Sequence, residues 1–112
     1  MTWNAVCQLD DIPKNAGVAA LIGDQQVALF RVGEQIFAVD NYDPIGHANV
    51  LSRGIVCSIG ERLCVASPLY KQHFDLATGE CVEEETTIKT FATRIAGSTI
   101  EVDCNTCKSA AA

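Results

Sequence analysis

Apolar residues fall in short runs along the chain, parted by turn signals every 8–12 residues, and this pattern predicts an all-β domain. Val18–Ile22 leads through Gly23-Asp24 into Gln26–Val32, and Gly33-Glu34 separates that run from Gln35–Val39. The same device recurs at Gly60-Glu61, between Ile55–Ile59 and Arg62–Ala66, and at Gly97-Ser98, between Thr90–Ile95 and Thr99–Val102. A glycine followed by a polar residue suits a tight hairpin, because glycine takes a positive φ without a Cβ clash. In the last hairpin Phe91, Thr93 and Ile95 alternate with Thr90, Ala92 and Arg94, so one face is expected to be buried. No segment sustains the spacing of an amphipathic helix. At most a helical turn is expected near Asp10–Asn15 or Ala48–Ser52.

Two segments do not read as strands. Asn41–Gly54 is polar and punctuated by Pro44, Gly46 and Gly54, and Ser67–Gly79 opens on a Ser-Pro turn and closes on Thr78-Gly79. Long loops on a strand scaffold are where function tends to reside. One β domain is expected over residues 1–103, followed by a flexible tail at 104–112 that is small and polar.

Composition narrows the classes of function. The chain has 112 residues, of which 48% are apolar and 20% charged, which suits a single globular domain. A net charge of −6 argues against nucleic acid or an anionic membrane as the main partner. No apolar run approaches the roughly 20 residues of a bilayer span. The first residues show no basic region followed by an apolar stretch, so a cytoplasmic location is expected, with the six cysteines as thiols.

Those thiols suggest little chemistry. Cys104 and Cys107 form one Cys-x-x-Cys pair, but a zinc site needs about four ligands and no second pair of that spacing exists. If Gly60-Glu61 is a two-residue turn, Cys57 and Cys64 face each other across the hairpin, and the plainer reading makes them two small buried residues. His47 and His73, the only histidines, lie in the loops and read as surface residues. No nucleophile elbow or glycine-rich phosphate loop is present, and Glu83–Glu85 reads as a solvated acidic turn. No catalytic residue is expected.

Taken together, the two loops resemble the cluster loops of Rieske iron–sulfur domains. The resemblance is carried by Asn41, Leu51-Ser52-Arg53-Gly54, Ser67-Pro68-Leu69-Tyr70, and Phe74-Asp75-Leu76-Ala77-Thr78-Gly79. It covers about Trp3 to Val102 and implies a fold of stacked antiparallel sheets. In that family the first loop carries Cys-x-His and the second Cys-Pro-x-His, so that two thiolates hold one iron and two imidazoles the other. Here Asp43 and Ile45 stand at the first pair of positions and Ser67 and Tyr70 at the second. The resemblance thus implies vestigial ligand positions, with no [2Fe-2S] cluster and no metal.

The combination of Asp43-Pro44, Val50–Gly54 and Val65–Lys71, with Gln26–Phe30 and Gln35–Val39, is similar to the small-subunit family of NAD(P)H-dependent assimilatory nitrite reductases. That resemblance implies a non-redox accessory role in reducing nitrite to ammonium. The partner would be a large subunit carrying FAD, an iron–sulfur cluster and sirohaem. Asp43, His47, Arg53, Tyr70, Lys71 and His73 are the candidates for the contact, because they lie in the two loops and aromatic and arginine side chains are enriched at binding hot spots. The competing expectation is a Rieske-type ferredoxin that carries electrons to an oxygenase.

Overall fold

The computed structural model describes residues 3–69 and 72–107, and among them the chain forms eleven strands. They are β1 (Asn4–Gln8), β2 (Ala16–Ile22), β3 (Gln25–Val32), β4 (Gln35–Asp40), β5 (Tyr42–Asp43), β6 (Ala48–Asn49), β7 (Ile55–Ile59), β8 (Arg62–Ala66), β9 (His73–Asp75), β10 (Thr90–Ala96) and β11 (Thr99–Cys107). A six-stranded sheet has the order β1-β11-β10-β4-β3-β2, a three-stranded sheet the order β7-β8-β9, and β5 pairs with β6 alone. Every pairing is antiparallel.

The four expected hairpins close where the Gly-polar pairs stand. Ile22 pairs with Gln25, Val32 with Gln35, Ile59 with Arg62 and Ala96 with Thr99. Gly23, Gly33, Gly60 and Gly97 take φ of 60°, 62°, 61° and 66°, while none of the residues after them has a positive φ. A left-handed first residue followed by an ordinary second one is the type II′ arrangement, whose twist matches that of the flanking strands.

Strand β3 is buried on both faces, which accounts for its unbroken apolar run. Val27 and Leu29 join a cluster with Ile12, Ile36, Ala38, Phe91, Ile100 and Val102. Ala28 and Phe30, on the opposite face, join Val39, Leu51, Val65, Phe74, Leu76 and Ile88. This second cluster ties both loops and the small sheet to the large one. Phe30 and Phe74 are fully buried in it, and each such burial contributes about 1.5–3 kcal/mol.

Strand β1, which pairs with β11, has no counterpart among the expected strands, and three further segments depart from the expected boundaries. His73–Asp75, expected within a loop, is strand β9 and pairs with Cys64–Ala66; three residues are too few to display an alternating pattern. The first loop contains the short β5–β6 ladder, and its helical turn is a 3₁₀ turn at Leu51–Arg53, with another at Leu9–Asp11. Strand β11 continues to Cys107, past the expected domain end at 103, and the rest of the expected tail, 108–112, lies outside the described residues. No helix among the described residues is long and apolar enough to cross a membrane.

Candidate functional site

One buried side chain sets the shape of the first loop. Asn41 donates its amide to Gln26 Oε1 (3.1 Å) and to the Asn49 carbonyl (3.2 Å), while its Oδ1 accepts the Ser52 N–H (2.8 Å). Its backbone carbonyl accepts the Leu51 N–H (3.1 Å). The start of the loop, its returning arm and its 3₁₀ turn are therefore held by a single residue.

Asp43 sits fully buried inside this frame. Its Oδ1 accepts the N–H groups of Ile45 (2.8 Å) and Gly46 (3.0 Å), and its carbonyl accepts the N–H of His47 (2.8 Å). Its Oδ2 takes the hydroxyl of Ser67, which reaches across from the second loop and is itself buried. Ser67 Oγ also accepts the Leu69 N–H (3.3 Å). The loops meet again at Gly46, where a Cβ would run into the Leu69 side chain.

Asp75 repeats the Asp43 turn in the second half of the chain. Its Oδ1 accepts Ala77 N–H (2.8 Å) and Thr78 N–H (3.1 Å), its carbonyl accepts Gly79 N–H (2.8 Å), and its Oδ2 meets Arg62 Nε at 2.8 Å. Burial favours the neutral acid, but the Arg62 bond and the two N–H groups outweigh it and hold this carboxyl below the usual range. The fourth residue after each aspartate adopts a positive φ: Gly79 at 81° and His47 at 56°. The first loop thus places an imidazole where its counterpart uses glycine.

The contact candidates are scattered by the fold. His47 is exposed at the loop tip, where its ring lies edge-on to Tyr42 (centroids 6.5 Å apart) and its Nδ1 is 3.2 Å from the Tyr42 hydroxyl. Arg53 is exposed on the 3₁₀ turn. Asp43, by contrast, is no surface contact, because its carboxylate is consumed by loop N–H groups and Ser67. His73 is taken up by Glu83, whose carboxylate meets its backbone N–H (2.8 Å) and Nδ1 (2.6 Å). Burial works against ionisation of Glu83, but these His73 bonds lower its carboxyl overall, so it is an anchoring residue in the turn expected to be only solvated. Tyr70 and Lys71 lie outside the described residues.

Sequence reasoning missed Tyr42 and Leu69, two exposed apolar side chains beside the tip. An aromatic next to Asp43 was the available signal for Tyr42; the exposure of Leu69 has no local signature. At the ligand positions within the described residues stand a carboxylate, a hydrocarbon and a hydroxyl: Asp43, Ile45 and Ser67. Ile45 is partly buried and packs against the second core cluster. No cysteine lies between Cys7 and Cys57 or between Cys64 and Cys81.

A three-stranded sheet bearing two bonded loops, set against a larger antiparallel sheet, defines the Rieske-like class, and the profile of the Rieske-like [2Fe-2S] domain family matches residues 2–103. The nitrite reductase (NADH) small subunit of Escherichia coli K12 is 42% identical over 103 residues, covering 89% of this chain and 95% of that relative. The chain belongs, within the Rieske-like family, to the small subunits of NAD(P)H nitrite reductase. The solution structure of the E. coli protein NirD superposes with a TM-score of 0.84 at 41% identity, covering 90% of this chain and 94% of that one. The nitrite reductase [NAD(P)H] large subunit of Klebsiella oxytoca is 44% identical over 94 residues; these cover 83% of this chain but 10% of that relative.

Proposed function

We propose that this chain is a non-redox accessory subunit of an NAD(P)H-dependent nitrite reductase, acting in the cytoplasm by binding a large subunit that carries FAD, an iron–sulfur cluster and sirohaem. The observation that carries the reading is the hydrogen bond between Ser67 and Asp43. A [2Fe-2S] centre of the Rieske type needs two thiolates on one iron and two imidazoles on the other. The oxygen atoms at the two thiolate positions are bonded to each other, and Ile45 offers no donor atom, so these residues do not fit that cluster. Electron transfer then belongs to the partner, and this chain contributes a surface.

The tip formed by Tyr42, His47 and Leu69 is the surface favoured for that contact. It is exposed, partly apolar and fixed by Asn41 and Asp43 beneath it. The Klebsiella large subunit that contains a homologous stretch within its own polypeptide supports one small domain per large subunit.

Iron and acid-labile sulfide analysis of the purified chain, followed by calorimetric titration with the large subunit, tests the proposal. The expected result is a colourless protein that binds one-to-one. A reddish-brown chain with stoichiometric iron and sulfide would make it a ferredoxin instead, and a colourless chain with no affinity for the large subunit would remove the accessory role.

A further inference from the structure

Cys57 and Cys64 stand directly opposite each other across the β7–β8 hairpin. The turn closes on Ile59–Arg62, and hydrogen-bonded pairs alternate with non-bonded ones, so Cys57–Cys64 is a hydrogen-bonded pair. Such pairs hold their Cα atoms about 5.5 Å apart, inside the ~4.4–6.8 Å range of disulfides. Their Cβ atoms, about 5 Å apart, exceed the ~3.8 Å of a disulfide, so bridging must draw the strands together by roughly 1 Å. Strain of that kind makes a disulfide easier to reduce, which suits a reversible bond better than a permanent one.

The surroundings give the two sulfurs different roles. Cys64 also opposes Asp75 on β9, so Cys57, Cys64 and Asp75 form one row. The row lies on the face opposite Val56, Val65 and Phe74, which pack on the core. Cys57 is partly exposed, whereas Cys64 is fully buried. Burial first, and then the nearby Asp75 and Cys57, push the Cys64 thiol up to about 11, so it stays protonated at neutral pH. Both are free thiols here, with Cys64 Sγ resting 3.9 Å from the Arg62 carbonyl.

We propose that Cys57 and Cys64 are a peroxide-sensitive thiol pair that closes to a reversible cross-strand disulfide. Cys57, having given its proton to solvent, attacks the terminal oxygen of a hydroperoxide; the O–O bond breaks, Cys57 becomes a sulfenic acid, and the hydroxide or alkoxide expelled takes up that proton and departs as water or the corresponding alcohol. The Cys64 sulfur then attacks the Cys57 sulfur and expels hydroxide, which leaves as water with the Cys64 proton. The two thiols lose two electrons and the peroxide gains them. The bond would staple the strand that leads directly into Ser67.

The test uses the full chain, intact and as Cys104→Ser/Cys107→Ser, treated with hydrogen peroxide while folded and then alkylated in denaturant, so that the buried Cys64 and Cys81 are counted as well. In the doubly substituted chain, which keeps four of the six cysteines, alkylatable thiols should fall from four to two and return with dithiothreitol. Peptide mapping should recover Cys57 joined to Cys64 in both chains, and Cys57→Ser or Cys64→Ser should abolish that product. Cys57 recovered as sulfinic acid, Cys57 still alkylatable when other thiols are consumed, or Cys57 joined to another cysteine would each overturn the proposal.

Discussion

The Ser67 hydroxyl donates to the Asp43 carboxylate across 24 residues of sequence, and both side chains are buried. These are the positions at which the Rieske resemblance places the two thiolates of one iron. A neutral donor on a carboxylate contributes about 1.5–3 kcal/mol. The two loops are held by this bond together with the Asn41 hydrogen bonds and the contact of Leu69 over Gly46.

Removing the donor should therefore be costly. Ser67→Ala leaves one oxygen of a buried carboxylate without a partner, and a loss of about 2–3 kcal/mol is expected. Asp43→Asn keeps an acceptor for the Ile45 and Gly46 N–H groups and turns an amide toward the Ser67 oxygen, so about 1 kcal/mol should be lost. Urea denaturation reads both; no loss in Asp43→Asn would show that the charge on Asp43 does not strengthen the bond, and a loss equal to that of Ser67→Ala would show that an amide cannot replace the carboxylate there.

His47 occupies a left-handed conformation that costs a side-chain residue about 1–2 kcal/mol. His47→Gly relieves that strain but frees the unfolded chain, at a cost of about 0.4–1 kcal/mol. Stability should hold or rise by up to about 1.6 kcal/mol. If the imidazole serves the large-subunit contact, affinity should fall in the same variant. A chain with both stability and affinity unchanged would take His47 out of the interface.

The Arg62–Asp75 pair predicts a pH dependence of definite sign. The folded carboxyl lies below its ordinary value, so the stability it adds is fully present above the ordinary carboxylate pKa and is lost as pH falls through the depressed one. Asp75→Asn should be less stable than the wild type at neutral pH, and the gap in melting temperature should narrow on acidification. A gap that stayed constant down to low pH would mean that the hydrogen-bonded turn, and not the charge, stabilises this corner.

Thr90 Oγ1 is buried with no hydrogen-bond partner, in a strand where a β-branched residue is at home. Thr90→Val keeps the shape and deletes the unmatched hydroxyl, so a gain of about 1 kcal/mol in unfolding free energy is expected. A loss would place a bound water on that oxygen.

Much of this is legible in the order of residues. The hairpins are readable because a type II′ turn needs a left-handed first residue, and glycine before a polar residue supplies it at Gly23, Gly33, Gly60 and Gly97. The register follows from the turn, so the spacing of Cys57 and Cys64 about Gly60-Glu61 is enough to set them opposite each other. The loop positions that the Rieske resemblance picks out are legible for the same reason, since the spacing of Asp43 and Ser67 within their loops is local. Strand β9 is not, because its three residues are fixed by β8 alongside them and not by their own pattern.

The sequence alone determined the strands of the four hairpins, the turns that join them and the chemistry standing at each loop position. These depend on φ preferences and on alternation over a few residues. Only the tertiary structure decided that Asp43 is buried against Ser67, that Glu83 takes up His73, and that His47 is left exposed beside Tyr42. Those pairings join residues far apart or fix which face of a loop meets water. They follow from how two sheets close over a shared core, a balance of burial and hydrogen bonding that no local stretch of residues encodes.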